Sequence, residues 1–341
     1  MKKLLSLALA LMLIFSLAAC GGGTEETTTE EPIVLKIAST VQDESVQGAA
    51  LFSHYEAYIE EKSEGRIDVQ VYNNSQLGND RQLIEAAQLG TIQASTSPLN
   101  VLALFDSRFM AGDLPFLFKD REAAYAALDG EFGDMMKSGL GDLGLVGGTY
   151  GENAFRNLSN SKKPIHTPAD MKGMKIRVME APVYLETMKA FGANPTPMAF
   201  SELYTGLSQG TVDGQDNGII LTYTAKLYEV QKYYTISQQQ YLAVQILYNK
   251  TFFDGLDADL QQILMDGSKN FTEYCREANT EAEADLLEEM QAAGLEVNVL
   301  TDEEKKAFIE LAKPVYDKVA ADIGDQALVD LAKEISWAFN E

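Results

Sequence analysis

Seven basic residues, Arg156, Lys162, Lys163, Lys172, Lys175, Arg177 and Lys189, fall between positions 153 and 190, against only Asp170, Glu180 and Glu186. The whole chain has a formal net charge of −24, so this stretch is a positive island in an acidic protein. An anion would be held here by local contacts, since the overall field repels it. Within the island Lys175-Ile176-Arg177-Val178-Met179 alternates, which puts Ile176 and Val178 on one face of a strand and Arg177 on the other. A guanidinium presents a planar fork of donors that matches a carboxylate, which lysine does not. From spacing alone, a pair with Glu180 accounts for Arg177 equally well.

Other chemistries find less support. The two histidines, His54 and His166, stand singly and read as surface or packing residues. No Gly-x-Ser-x-Gly, His-Glu-x-x-His or Cys-x-x-Cys occurs, so the commonest hydrolase and zinc signatures are missing. Gly139-Leu140-Gly141-Asp142-Leu143-Gly144 spells a dinucleotide-binding pattern, but it precedes a strand instead of leaving one to open a helix. Asp213-Gly214-Gln215-Asp216-Asn217-Gly218 begins like a calcium loop, yet its twelfth position is Thr224 where a bidentate glutamate is needed. Glu281, Glu283, Asp285, Glu288 and Glu289 read as the solvated face of a helix. The acidic balance argues against nucleic acid as a partner, because phosphate binding needs a basic footprint. No metal or cofactor is expected.

The positive island sits in an alternation of strands and helices. Strands are expected at Val34–Ser39, Ile67–Tyr72, Leu143–Tyr150, Lys175–Met179 and Tyr241–Asn249. Helices are expected at Val46–Lys62, Asp80–Leu89 before Gly90, Pro182–Phe191 with proline in its first turn, and Ser201–Gln209 before Gly210. This order argues α/β architecture with largely parallel sheets, in which ligands collect at the carboxyl ends of strands. From Asp257 to Ala293 there is no proline, and Gly267 is the lone glycine. Unbroken, that helix would be about 54 Å long, enough to run across two domains.

The amino terminus speaks to location. Met1-Lys2-Lys3 precedes an uncharged apolar run, Leu4 to Ala19, which is shorter than the roughly 20 residues of a membrane span and has the flanks of a signal peptide. It closes on Leu17-Ala18-Ala19-Cys20, which resembles a bacterial lipobox with Cys20 as the lipid-bearing residue. Residues 1–19 are then the leader, and 20–32 the lipidated cysteine with a solvated tether. Cys275 is the one other cysteine, which leaves no partner for a disulfide.

Three longer runs carry a resemblance to a known family. They are Asp170-Met171-Lys172-Gly173-Met174-Lys175-Ile176-Arg177-Val178, then Gly192-Ala193-Asn194-Pro195-Thr196-Pro197-Met198-Ala199-Phe200-Ser201-Glu202-Leu203-Tyr204, and Val212-Asp213-Gly214-Gln215-Asp216-Asn217. Together with Ser75-Gln76-Leu77-Gly78, Asp113-Leu114-Pro115-Phe116-Leu117-Phe118 and Tyr228-Glu229-Val230-Gln231-Lys232, they make the chain resemble the solute-binding proteins of tripartite ATP-independent periplasmic (TRAP) transporters, the DctP family. The resemblance covers essentially the whole chain after the leader.

It implies an α/β, two-lobe, periplasmic-binding-protein-like fold with a central ligand cleft and a long helix spanning both lobes. Lobe I would take 33–153 and 243–282, and lobe II 154–242 and 283–341. It implies Arg177 as the partner of a ligand carboxylate, Asn217 as a bond to ligand oxygens, Phe200 packed on the ligand and Arg156 as a second arginine. Ser97 and Gln239 are further positions assigned to ligand contact. Three departures touch the pocket: Ala154 where the family often has glycine, Gly218 where it has proline, and Gln239 where many members have histidine. The function implied is capture of a small organic acid with at least one carboxylate, a C4-dicarboxylate or a sugar acid, for delivery to TRAP permease subunits in the membrane. The protein itself would meet the membrane only through its lipid. The competing reading is a secreted lipoprotein enzyme with a carboxylate pair in the cleft.

Overall fold

Leu35 and Ile37 alternate with half-exposed neighbours along Ile33–Ala38 (β1), so one face of this strand enters a core. In the computed structural model, which describes residues 31–340, β1 pairs in parallel with Ile67–Tyr72 (β2), from Ile33 opposite Ile67 to Ala38 opposite Tyr72. Cys20 and the leader lie outside the described residues. The segment that joins the two strands is helical over 46–62 (α1), but its middle, Leu51–Glu56, is a π-helical turn between α-helical ends. Leu51, Tyr55 and Ile59 are all buried at a spacing of four. In an α-helix of 3.6 residues per turn that spacing drifts around the axis, and a wider turn keeps the three side chains on one face.

Helix α2 (Asp80–Leu89) begins at a capping box, in which the Asn79 side chain accepts from the Gln82 amide and Gln82 answers at the Asn79 amide. It ends at Gly90, whose φ of 73° is left-handed. Ala94–Pro98 (β3) follows, parallel to β1.

Two long strands carry the chain between the lobes. Leu145–Asn160 (β4) and Tyr233–Asn249 (β8) are antiparallel partners of 16 and 17 residues. The carboxyl half of β8 pairs with β3, and the carboxyl end of β4 pairs with Gly214–Asn217 (β7). Lys175–Val178 (β5) lies between β7 and Asn194–Pro197 (β6). A single sheet results, ordered β2-β1-β3-β8-β4-β7-β5-β6, with Glu296–Val299 (β9) alongside the amino end of β8. The β4–β8 register slips at Gly147/Tyr150, Glu152/Ala154 and Arg156/Leu158, and such bulges bend a strand pair.

Both crossing strands run well past the segments the sequence suggested, 143–150 and 241–249. Their missing halves hold Glu152, Asn153, Arg156, Asn157, Ser159 and Asn160 on β4, and Thr235, Ser237, Gln239 and Gln240 on β8, all buried. A buried strand made of polar residues has no hydrophobic pattern to betray it.

Helix α3 (Pro182–Ala190) follows β5 and helix α4 (Phe200–Ser208) follows β6. The long helix α5 (Ala258–Ala292) is unbroken over 35 residues, about 52 Å. It packs on α1 and β4, and farther along on the helix Ile219–Thr224. Gly267 sits where α5 crosses α1: a Cβ there would stand 2.9 Å from Ile59 Cγ1. The close crossing explains why the single glycine interrupts an otherwise helix-favouring run. Cys275, on the same helix, is fully buried in the core with Leu35, Ile37 and Tyr248. Helix α6 (Asp302–Ile323) packs on both α3 and the 3-10 turn Ser107–Asp113.

Candidate ligand-binding site

The carboxyl ends of β1, β3, β5 and β7 converge on one cleft. Thr40 and Val41 follow β1, Thr96 and Pro98 end β3, Met179 follows β5 and Asn217 ends β7, and all six line a single cavity. Asp80 from the first turn of α2, Asn153 and Arg156 from β4, and Phe200 at the start of α4 complete its working wall. Its empty volume is about 410 Å³, open mouth included. Arg177 borders an adjoining recess that shares Asp80, Met179 and Phe200 with this cavity.

Arg177 is 1% exposed. Its Nε donates to the Met198 carbonyl at 2.9 Å, and neither terminal nitrogen has a hydrogen-bond partner among the described residues. Glu180, the alternative partner, is exposed and does not bond it. Ile176 and Val178 turn into the core, as the alternation requires. Burial, then the nearby charge of Arg156, pulls the Arg177 guanidinium down to about 10, which leaves it cationic at neutral pH. A buried cation with two unused donors is costly unless an anion meets it.

Arg156 is equally buried but already matched. Its Nε donates to Asp216 Oδ2 at 2.6 Å, and a terminal nitrogen donates to the Asp216 carbonyl. The guanidinium lies over the Tyr184 ring, 5.1 Å from its centre. Burial lowers its pKa, but Asp216, Tyr184 and Asp113 outweigh that and hold it above the ordinary value. Among the described residues one nitrogen, Nη1, has no partner, so Arg156 has one terminal nitrogen left to offer.

Asn217 lines the cavity, with its amide turned to Gln215 Oε1 at 2.7 Å. Phe200 borders the cavity and both neighbouring recesses. The other two expected residues stand elsewhere. Ser97 is fully buried with its hydroxyl 3.1 Å from that of Ser95. Because successive strand residues face opposite ways, Thr96 and Pro98 reach the cavity and Ser97 faces away from it. Gln239 lies behind the lining, accepting from the Ser237 hydroxyl and donating to Asp216 Oδ2 at 3.5 Å, so it braces the acid that holds Arg156.

Sequence reasoning passed over Asp80, read only as a helix start, and gave Asp216 no role of its own beyond a rejected calcium loop and a run that carries the family resemblance. Alternation along Gly214-Gln215-Asp216-Asn217 was the available signal for Asp216. Among the described residues no group of His, Cys, Asp or Glu side chains is placed to hold a metal ion.

Two α/β lobes joined by crossing strands, with a cleft at their strand ends and a buried guanidinium open for an anion, define a solute-binding protein. The chain belongs to the DctP family, whose profile, described as bacterial extracellular solute-binding protein, family 7, matches residues 37–322. It is 37% identical to the C4-dicarboxylate-binding periplasmic protein DctP of Rhodobacter capsulatus over 305 residues, 87% of this chain and 90% of that one. The sugar acid binding protein DctPAm of Advenella mimigardefordensis, solved with galactonate, superposes with a TM-score of 0.85 at 32% identity, covering 90% of this chain and 99% of the other. A TRAP periplasmic solute-binding protein of Sulfurospirillum deleyianum with bound succinate gives 0.84 at 29% identity, covering 90% and 100%. The protein is thus an extracytoplasmic binding protein of the TRAP type rather than an enzyme.

Proposed function

We propose that this protein captures a small organic acid, a sugar acid or a C4-dicarboxylate, outside the cytoplasm and delivers it to TRAP permease subunits. The observation that carries the reading is Arg177, buried beside the cleft with both terminal nitrogens unused. A ligand carboxylate would take both, in the fork geometry that makes such pairs strong. Asn217 and the free nitrogen of Arg156 would hold further oxygens, and Phe200 would cover the ligand. Relatives bind both classes, as the C4-dicarboxylate, galactonate and succinate of the proteins above attest.

Thr40, Asp80 and Thr96 come from one side of the cleft, and Arg156, Phe200 and Asn217 from the other. A ligand touching both sides binds the closed form better than the open one, and that differential affinity is what shifts the population to closed. Lobe I over 33–153 and 243–282 and lobe II over 154–242 and 283–341 would move about the bulged β4–β8 crossing. Among the described residues no helix is long and apolar enough to cross a membrane, and lipid on Cys20 would supply the attachment.

A thermal-shift screen of organic acids tests the reading. A ligand at 100 times its dissociation constant adds about 2.7 kcal/mol, a clear rise in Tm. A panel of aldonates, uronates and C4-dicarboxylates in which no acid raises it contradicts the proposal.

A further inference from the structure

We propose that Asp80 sets the ligand class, so that the site takes a hydroxylated monocarboxylate, a sugar acid, and discriminates against dicarboxylates; this rests on the carboxylate-binding reading above. Asp80 is part of the wall shared by the cavity and the Arg177 recess. It is 8% exposed. Its position is fixed by the capping box that starts α2, and Oδ1 accepts the Thr40 hydroxyl at 2.8 Å. Among the described residues no basic side chain bonds it, although the Arg177 charge is near enough to act on it.

The charges around the cleft leave room for one carboxylate. Among the described residues that line the cleft, Arg177 is the cation without a bonded acid, whereas Arg156 is spoken for by Asp216. Arg81, at the rim of the recess, pairs with Glu85 at 3.0 Å. A second ligand carboxylate would find no unmatched cation and would meet the Asp80 carboxylate instead. Buried like charges disfavour one another strongly, and repulsion of this kind is how sites reject near-relatives of their ligand.

Hydroxyl groups fare differently. An ionised aspartate has acceptor positions left after Thr40 is served, and a ligand hydroxyl donating to it forms a charge-assisted bond. Gln47, Thr96 and Asn153, on the same wall, add uncharged donors and acceptors suited to a row of hydroxyls.

Titration calorimetry on the full chain tests this with matched probes: D-galactonate, D-gluconate and D-glucuronate, the aldarates in which both chain ends are carboxylates (galactarate for the first, glucarate for the other two), succinate, and neutral galactitol. At least one hydroxylated monocarboxylate should bind about 10-fold or more tighter than its aldarate and than succinate. Asp80→Asn should weaken that monocarboxylate about 10- to 100-fold, the worth of a charged hydrogen bond, and leave the dicarboxylates unchanged or tighter. Should Asp80→Asn not fold, the wild-type comparison of each acid with its aldarate decides alone. A dicarboxylate that binds as tightly as every monocarboxylate, or an unchanged ratio in Asp80→Asn, overturns the proposal while the carboxylate reading stands. Galactitol binding as tightly as galactonate, or no binding by any acid, overturns both.

Discussion

Arg156 and Arg177 are buried close enough to feel each other's charge, yet one is bonded to an acid and the other is not. Asp216 holds Arg156 by side chain and main chain, while Arg177 bonds only a carbonyl. The first arginine ties β4 to β7, and the second, on the proposal above, is held for the ligand. Their substitutions should therefore have opposite effects on the free protein.

Replacing Arg177 by Met should stabilise the ligand-free protein. The guanidinium is depressed from its ordinary value to about 10, chiefly by burial, and an apolar side chain of similar length removes that cost. Against the lost bond to Met198, a net gain of about 1–2 kcal/mol is expected, as when buried charges give way to apolar side chains. Urea denaturation without ligand measures it; a loss of more than about 1 kcal/mol would show that Arg177 is structurally satisfied.

Arg156→Ala should do the reverse. Breaking a buried ion pair strands the partner charge and costs about 3–5 kcal/mol. Asp216, fully buried, would be left with only its long contact to Gln239. The same denaturation experiment reads this loss, and a change under about 1 kcal/mol would mean that the Arg156–Asp216 pair does not hold the strands together.

Ala154 and Gly218 form a second pair. They touch: a Cβ on Gly218 would stand 2.1 Å from the Ala154 Cβ. Gly218→Ala should cost about 1–3 kcal/mol by overpacking, and adding Ala154→Gly should recover most of it. Additive losses in the double-mutant cycle would show that the two positions are independent.

That pair shows what was legible in the sequence. Each residue was visible by itself, but only the sheet reveals that the two touch. The long α5 was read from its lack of proline and of any glycine but Gly267, and apolar periodicity located β1, β2 and α2, because those elements bury hydrophobic faces. It stopped at Tyr150 on β4 and began only at Tyr241 on β8, where the buried side chains turn polar to serve the cleft. Local consistency breaks at functional sites, and here the break marked the site. Arg177 was readable from its strand; Asp80 was not, since an acid in the first turn of a helix is already explained by the helix dipole.

Asp170 gives a pH dependence. Partial burial raises its pKa, but Lys163, the amides of Thr167 and His166 and the Thr167 hydroxyl together hold it well below the usual range. A folded pKa below the unfolded value, about 3.9, means stability that is fully present above about pH 4 and is lost as the pH falls toward the folded value. Asp170→Asn should cost about 1 kcal/mol at pH 7, as for other caps, and the gap to wild type should shrink as the pH falls from about 4 to 2, closing fully only at still lower pH. Denaturation curves at pH 7 and pH 2 check it; a gap as wide at pH 2 as at pH 7 contradicts the charge-based role.

The most direct test of the central claim is calorimetry of Arg177→Ala with whichever organic acid the thermal-shift screen identifies. Truncating one side of a buried, hydrogen-bonded charge pair costs about 2–5 kcal/mol, so affinity should fall about 30- to 3,000-fold. Arg177→Lys should recover only part, for want of the fork. Near wild-type affinity in a folded Arg177→Ala protein would contradict the account.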